Sequence, residues 1–328
     1  MKNLLVLALG AAAVLCGCSK KTTPPATTFA FTPLDCSDAR ETEPSGISGG
    51  QIFGTYLPRD GALGAFIYDI PTAKFTTLEK PSTLYFADPT GIFGDTMVGF
   101  GNSGSGLHGF FYDIPTGHYT LFDHPNVGKD PDHAGTLITG ISADTFCGYY
   151  RDDSAIPHGF LCDRQTRRLT PIDHPLAVSP CGTCLTAISG QMLVGYYMQN
   201  GANHGFLYDL SSRQFTALDG PAGAKETQPA AISGNTIVGS FADADGIHHG
   251  FTYDLAARNF VSFDHPGRRR TPHRPAEAPF WSLLAKLMPP ARRARRLWAT
   301  TPRPPAPNTV LWLPCIRIHL RTSGVIGF

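Results

Sequence analysis

Seven histidines recur at set places in this sequence, and they are the first candidates for chemistry. His108, His158, His204 and His249 each open an "HGF" triplet, while His124, His174 and His265 each stand in "DHP". Imidazole binds transition metals and titrates near neutrality, so a ring of histidines could hold a metal or relay protons. The ring is not complete: Gly64 fills one equivalent position, and Lys80 and Gly220 fill two others. A structural role is therefore expected. A His opening a strand and an Asp closing it, such as His204 and Asp209, can hydrogen-bond neighbouring backbone. The "DADG" run at residues 243–246 begins like a calcium loop but lacks the later ligands. No metal, no cofactor and no catalytic residue is expected. The sequence holds no nucleophile elbow, phosphate loop, zincin motif or dinucleotide fingerprint.

The elements that carry these histidines repeat. Ile47, Ile92, Ile141, Ile188 and Ile232 mark a "GIS"-like strand, and seven residues on stands Gly54, Gly99, Gly148, Gly195 or Gly239. Phe66, Phe110, Phe160, Phe206 and Phe251 mark the next strand, and nine residues later come Phe75, Tyr119, Leu169, Phe215 and Phe260. The unit runs 44 to 50 residues and reads as four short antiparallel strands joined by tight turns. One such sheet cannot bury both of its faces, but several stacked around an axis can. The expected fold is all-β: a β-propeller of about five four-stranded antiparallel blades, or an incomplete six-bladed ring. Residues 31–35 match a fourth strand that precedes any complete unit. A sixth blade would close the ring if the C-terminus supplied its other three strands, and its sequence does not continue the pattern.

Loop length is the main functional signal. The first–second and third–fourth turns keep their length. The second–third loops and the connections between units share the opposite face, where the stretch from Pro to the next Ile varies from 11 to 16 residues. Length variation on one face suits a binding surface on a repeat scaffold, although drift in unconstrained loops gives the same pattern. The candidates on that face are Arg59, Asp60, Asp130, Asp132, His133, Arg151, Asp152, Asp153, Asp243 and Asp245.

The N-terminus reads as an export signal, with Lys2 followed by an apolar run at residues 4–15. It ends "VLCGCSKK", which resembles the bacterial lipoprotein signal. The resemblance implies cleavage before Cys18 and acylation of that cysteine; an ordinary cleaved signal peptide is the alternative. Export permits disulfides. Cys147 and Cys162 replace Val and Tyr together in one unit, which suggests a cross-strand bridge or close contact. Cys181 and Cys184, in "CGTC", suggest a local loop bridge.

The "GIS…VGYY…HGF.YD…F…DHP" pattern resembles the extracellular HAF-type repeats of bacteria over residues 31–266. The resemblance implies an exported, propeller-like protein and carries no catalytic residues. The expected organisation is a signal and lipidation site at 1–18, a tether at 19–28, the repeat domain at 29–266 and a tail at 267–328. The tail holds 12 Lys/Arg against one acid, leaving 15 basic and 25 acidic residues before it. It reads as a reading-frame change or as a basic lipid- or nucleic-acid-binding tail. The expected function is binding or scaffolding at the cell envelope through a lipid anchor, with an extracellular glycan or envelope protein as partner and no nucleic acid. The alternative is an envelope hydrolase or lyase at the channel mouth.

Overall fold

In a computed structural model, residues 31–59, 63–177, 182–264 and 325–326 are described. They form five four-stranded antiparallel meanders. The first blade is β2 (Ala39–Ser48), β3 (Gln51–Pro58), β4 (Gly64–Asp69) and β5 (Lys74–Leu78). The second is β6 (Phe86–Phe93), β7 (Thr96–Ser103), β8 (Gly106–Asp113) and β9 (His118–Phe122). The third is β10 (Gly135–Ile141), β11 (Thr145–Arg151), β12 (Pro157–Asp163) and β13 (Leu169–Pro171). The fourth is β14 (Thr183–Ser189), β15 (Met192–Gln199), β16 (Ala202–Asp209) and β17 (Gln214–Ala217). The fifth is β18 (Glu226–Ser233), β19 (Thr236–Ala242), β20 (His248–Asp254) and β21 (Asn259–Phe263). A single parallel bridge, Gly135 to Leu107, joins the second and third blades. Outside the blades, β1 (Phe31–Thr32) pairs antiparallel with β22 (Val325–Ile326).

The repeated glycine has a steric cause. Every first strand carries a bulge two residues before its isoleucine pair, as between Leu185 and Ala187. The bulge drives a carbonyl against the second strand. A methyl group on Gly195 would lie 2.4 Å from the Cys184 carbonyl oxygen and 2.8 Å from the Phe206 ring; on Gly99 it would lie 2.1 Å from the Asp88 oxygen. Neither space admits a side chain. Phe66, Phe110, Phe160, Phe206 and Phe251 fill the volume so protected and are fully buried. Each such ring contributes about 2–3 kcal/mol of burial.

The core is shared between successive blades. Phe53, Ile67 and Leu78 of the first blade pack with Ala87, Ile92, Met97 and Phe110 of the second. Val98 and Phe122 of the second pack with Ile141, Phe146 and Phe160 of the third. Cys147 and Ile172 then meet Leu185, Leu193 and Phe206, and Val194 and Leu218 meet Ile232, Ile237 and Phe251. The fourth strand of each blade thus closes the core of the next. Leu34, at the end of the N-terminal match to a fourth strand, does the same for Ile52 and Phe66 of the first blade.

The third–fourth turns are fixed by the aspartate that ends the third strand. Asp113 Oδ1 accepts hydrogen bonds from the Thr116 amide and hydroxyl, Asp163 does so from Thr166, and Asp209 accepts from Ser211. These bonds hold all three carboxyls below the usual carboxylate range. The expected cross-strand disulfide between Cys147 and Cys162 is not formed. Register is the reason: Cys147 stands opposite Leu161 and Cys162 opposite Phe146, one residue out of step. Successive residues point to opposite faces, so Cys147 faces the fourth blade and Cys162 faces Phe146. Burial pushes the Cys147 thiol up to about 12, which keeps it protonated. Cys184 is buried on β14, while Cys181 lies outside the described residues.

Candidate functional site: the variable-loop rim

The histidines that open the third strands stand at one rim of the blades, beside the second–third loops. For three of them the partner is the aspartate of "DHP", fifteen residues on. His108 Nδ1 meets both Asp123 oxygens at 2.8 and 2.9 Å, His158 Nδ1 meets Asp173 at 3.0 Å, and His249 Nδ1 meets Asp264 at 3.0 Å. In the second, third and fifth blades this bond ties the start of the third strand to the exit of the fourth. Backbone partners are expected for these histidines from the sequence; for His108, His158 and His249 the partner is a carboxylate. The signal lay in the constant spacing between two repeated polar positions.

The other ring nitrogen meets what its blade's loop supplies. His249 Nε2 lies 3.1 Å from Asp243, and His158 Nε2 lies 3.6 Å from Asp152. Asp243 Oδ1 also accepts the amides of Asp245 and Ile247, and Asp152 Oδ1 those of Ser154 and Ile156. The two loops are built alike: one carboxylate oxygen organises the loop and the other faces the histidine. The amide bonds, the Ile247 amide first, and His249 hold Asp243 below the usual range. In the second blade, Ser103 Oγ and Ser105 Oγ replace the acid, 3.0 and 3.1 Å from His108 Nε2.

The "DHP" histidines are different. His124 and His174 are buried. His124 stacks on Tyr150 at 3.8 Å and 5°, and Tyr150 stacks on His158; His174, Tyr197 and His204 repeat the ladder. The amides of Asn126 and Leu176 donate to the Nδ1 atoms of His124 and His174. Burial, with a smaller effect from the neighbouring rim histidine, lowers both pKa values. These rings are neutral packing elements.

Six of the ten residues expected on this face gather at the third blade. The Gly128 amide donates to the Arg151 carbonyl and the Lys129 amide to Asp153 Oδ1, so the long connection between the second and third blades clasps the 151–156 loop. Asp130 accepts from the Asp132 amide and pairs with His133 at 2.7 Å. The His133 bond is the main cause of its lowered pKa. Asp243 and Asp245 stand on the fifth blade and Arg59 is exposed on the first, while Asp60 lies outside the described residues. Sequence reasoning missed Glu226, a half-buried acid beside Asn203 and His204; burial raises its pKa against both neighbours. Its signal was an acid opening the first strand of the fifth blade. Among the described residues, no group of three or more His, Cys, Asp or Glu side chains is placed to hold a metal ion.

No family model matches the chain, and no curated protein matches it. Solved structures do. A structure assigned as TolB from Agrobacterium tumefaciens is 12% identical, with a TM-score of 0.50, over 67% of this chain and 79% of that one. TolB from Acinetobacter baumannii is 13% identical with a TM-score of 0.48, over 65% of this chain; the match spans about half of the Acinetobacter protein, 52%. The β-propeller domain of the Trilobed protease from Pyrococcus furiosus is 9% identical with a TM-score of 0.44. At such identities the likeness concerns the fold, and the fold is a β-propeller built of four-stranded antiparallel blades.

Proposed function

We propose that this chain is a binding or scaffold module at the bacterial cell envelope, with the variable-loop rim as its ligand face. One observation carries the reading: in three blades the same His–Asp frame carries loops of two kinds, two serines in the second and an organised carboxylate in the third and fifth. A repeated scaffold with unlike loops on one face can recognise a single asymmetric ligand. Carboxylates, serine hydroxyls and the exposed Tyr85 suit a hydroxyl-rich ligand, so an extracellular glycan is the favoured partner and an envelope protein the other. In this reading residues 1–18 carry the signal and the acylated Cys18, 19–28 the tether, 29–266 the propeller and 267–328 an accessory or aberrant tail. The full-length protein on a glycan array should give a small set of related glycans, with signal lost in Asp152→Asn and Asp153→Asn. Absence of any glycan signal removes the glycan reading, and wild-type signal in both variants removes the third-blade loop. Palmitate labelling lost in Cys18→Ala tests the anchor.

A hydrolase is the second reading, favoured by the Ser–His–Asp chain at Ser105, His108 and Asp123. Ser105 Oγ would attack an ester carbonyl while His108 Nε2 takes its proton and returns it to the leaving alkoxide; water would then release the acyl group. The sister blades weigh against it, because an acid replaces the serine there and the histidine still bridges. A fluorophosphonate probe that labels wild type but not Ser105→Ala would reverse that judgement.

A further inference from the structure

One repeat position behaves differently at one end of the molecule. Ile92, Ile141, Ile188 and Ile232 are each 7–8% exposed, whereas Ile47, their equivalent in the first blade, is 48% exposed. The four buried isoleucines are covered by the inner two strands of the preceding blade. Ile141 Cγ2 would lie 3.3 Å from a methyl on Gly91 of β6, and it packs with Val98 of β7. A hydroxyl crosses the same seam. Thr90 donates to the Ile138 carbonyl at 2.8 Å, and Thr139 and Thr186 donate to the Leu185 and Pro229 carbonyls at 2.9 Å. The matching acceptor on the first blade is the Pro44 carbonyl.

The outer half of this seam is already built. Leu34 closes the core over Ile52 and Phe66 as Leu78 and Leu218 do elsewhere. β22 lies beside β1 with Phe31 opposite Ile326, as Tyr208 of a third strand lies opposite Phe215 of a fourth. The third- and fourth-strand places therefore hold chain, while among the described residues no first or second strand covers Ile47.

The geometry points to this bare half-seam as a docking site for a β-hairpin from a second polypeptide that carries the first two strands of this same repeat. Such a hairpin would continue the four seams already in the molecule, three of which carry the threonine bond and one a Ser45–Asp88 bond. The best-matched hairpin presents a threonine toward the Pro44 carbonyl, a Gly or Ala beneath Ile47 and an apolar residue beside it, as Thr90, Gly91 and Val98 do. The fifth blade of a second copy fits less well, because Ala230 stands where the hydroxyl is needed. The proposal rests on the fold and is independent of the ligand assigned to the rim.

The test uses the full chain and a fluorescein-labelled peptide of residues 86–103, read by anisotropy. Saturable binding is expected, weakened at least about tenfold by Ile47→Asp, because a carboxylate would be buried in an apolar seam. Leu121→Asp, at an exposed apolar position on the second blade, should leave affinity unchanged. Should Ile47→Asp fail to fold, the wild-type chain with a Val98→Asp peptide asks the same question, and loss of binding supports the site. Equal affinity for the Ile47 and Leu121 variants, or for the two peptides, overturns the proposal. So does absence of saturable binding, the result expected if the chain's own C-terminal residues cover Ile47 in solution.

Discussion

The two ends of a single third strand obey different rules. At Phe206 and its four equivalents the surroundings are the same in every blade: a buried ring, a glycine with no room for a methyl, and a bulged first strand behind it. Two residues upstream, at His204 and its equivalents, the surroundings change from blade to blade. One histidine meets two serines and others a loop carboxylate, while the first blade has Gly64 in that place. The interior is fixed by packing, which tolerates little change in volume. The rim is fixed by hydrogen bonds that several side chains can supply, and this leaves it free to differ.

That contrast can be broken from the inside. Phe206→Ala should cost about 3–5 kcal/mol in urea unfolding, since it empties a fully buried ring site. Gly195→Ala should cost about 1–3 kcal/mol or more, because its methyl meets the Cys184 carbonyl and the Phe206 ring together. If either variant unfolds at the wild-type urea midpoint, the interior is not the constraint described.

The buried histidines sharpen the contrast through pH. Burial lowers the His174 pKa in the folded chain, while in the unfolded chain it titrates at about 6.5. Below that value the unfolded state binds more protons, so stability should be full above neutrality and fall as pH drops from 7.5 toward 5. His174→Asn should flatten this fall; an unchanged slope would mean that the ring is not held neutral. The smallest effect is expected at the rim. His249→Gln should shift stability by about 0.5 kcal/mol or less, yet weaken any ligand held by the fifth-blade loop. A loss comparable to that of Phe206→Ala would make the rim part of the core.

Much of the fold was legible because the information in it is periodic. Strand positions, turn chemistry and the blade as a unit all follow from an alternation that recurs five times. The disulfide at Cys147 and Cys162 was misread because alignment gives position within a unit, whereas the face a side chain points to depends on register to one residue. The rim was legible as a surface but not as a site. Its His–Asp bonds join strands fifteen residues apart, and the grouping of Lys129 and Asp130 with Asp153 depends on how a long connection folds back over the third blade. Glu226 looked ordinary because its burial comes from two blades meeting.

The borrowing of each blade's cover from the strand before it has a consequence for synthesis. Leu34 leaves the ribosome ahead of the sheet it will cap, and Leu78, Ile172 and Leu218 each leave ahead of theirs. Every newly made sheet therefore meets a finished apolar edge rather than waiting for one. The chain can harden from its N-terminus onward, never holding more than about one blade's worth of greasy surface open to aggregation at a time.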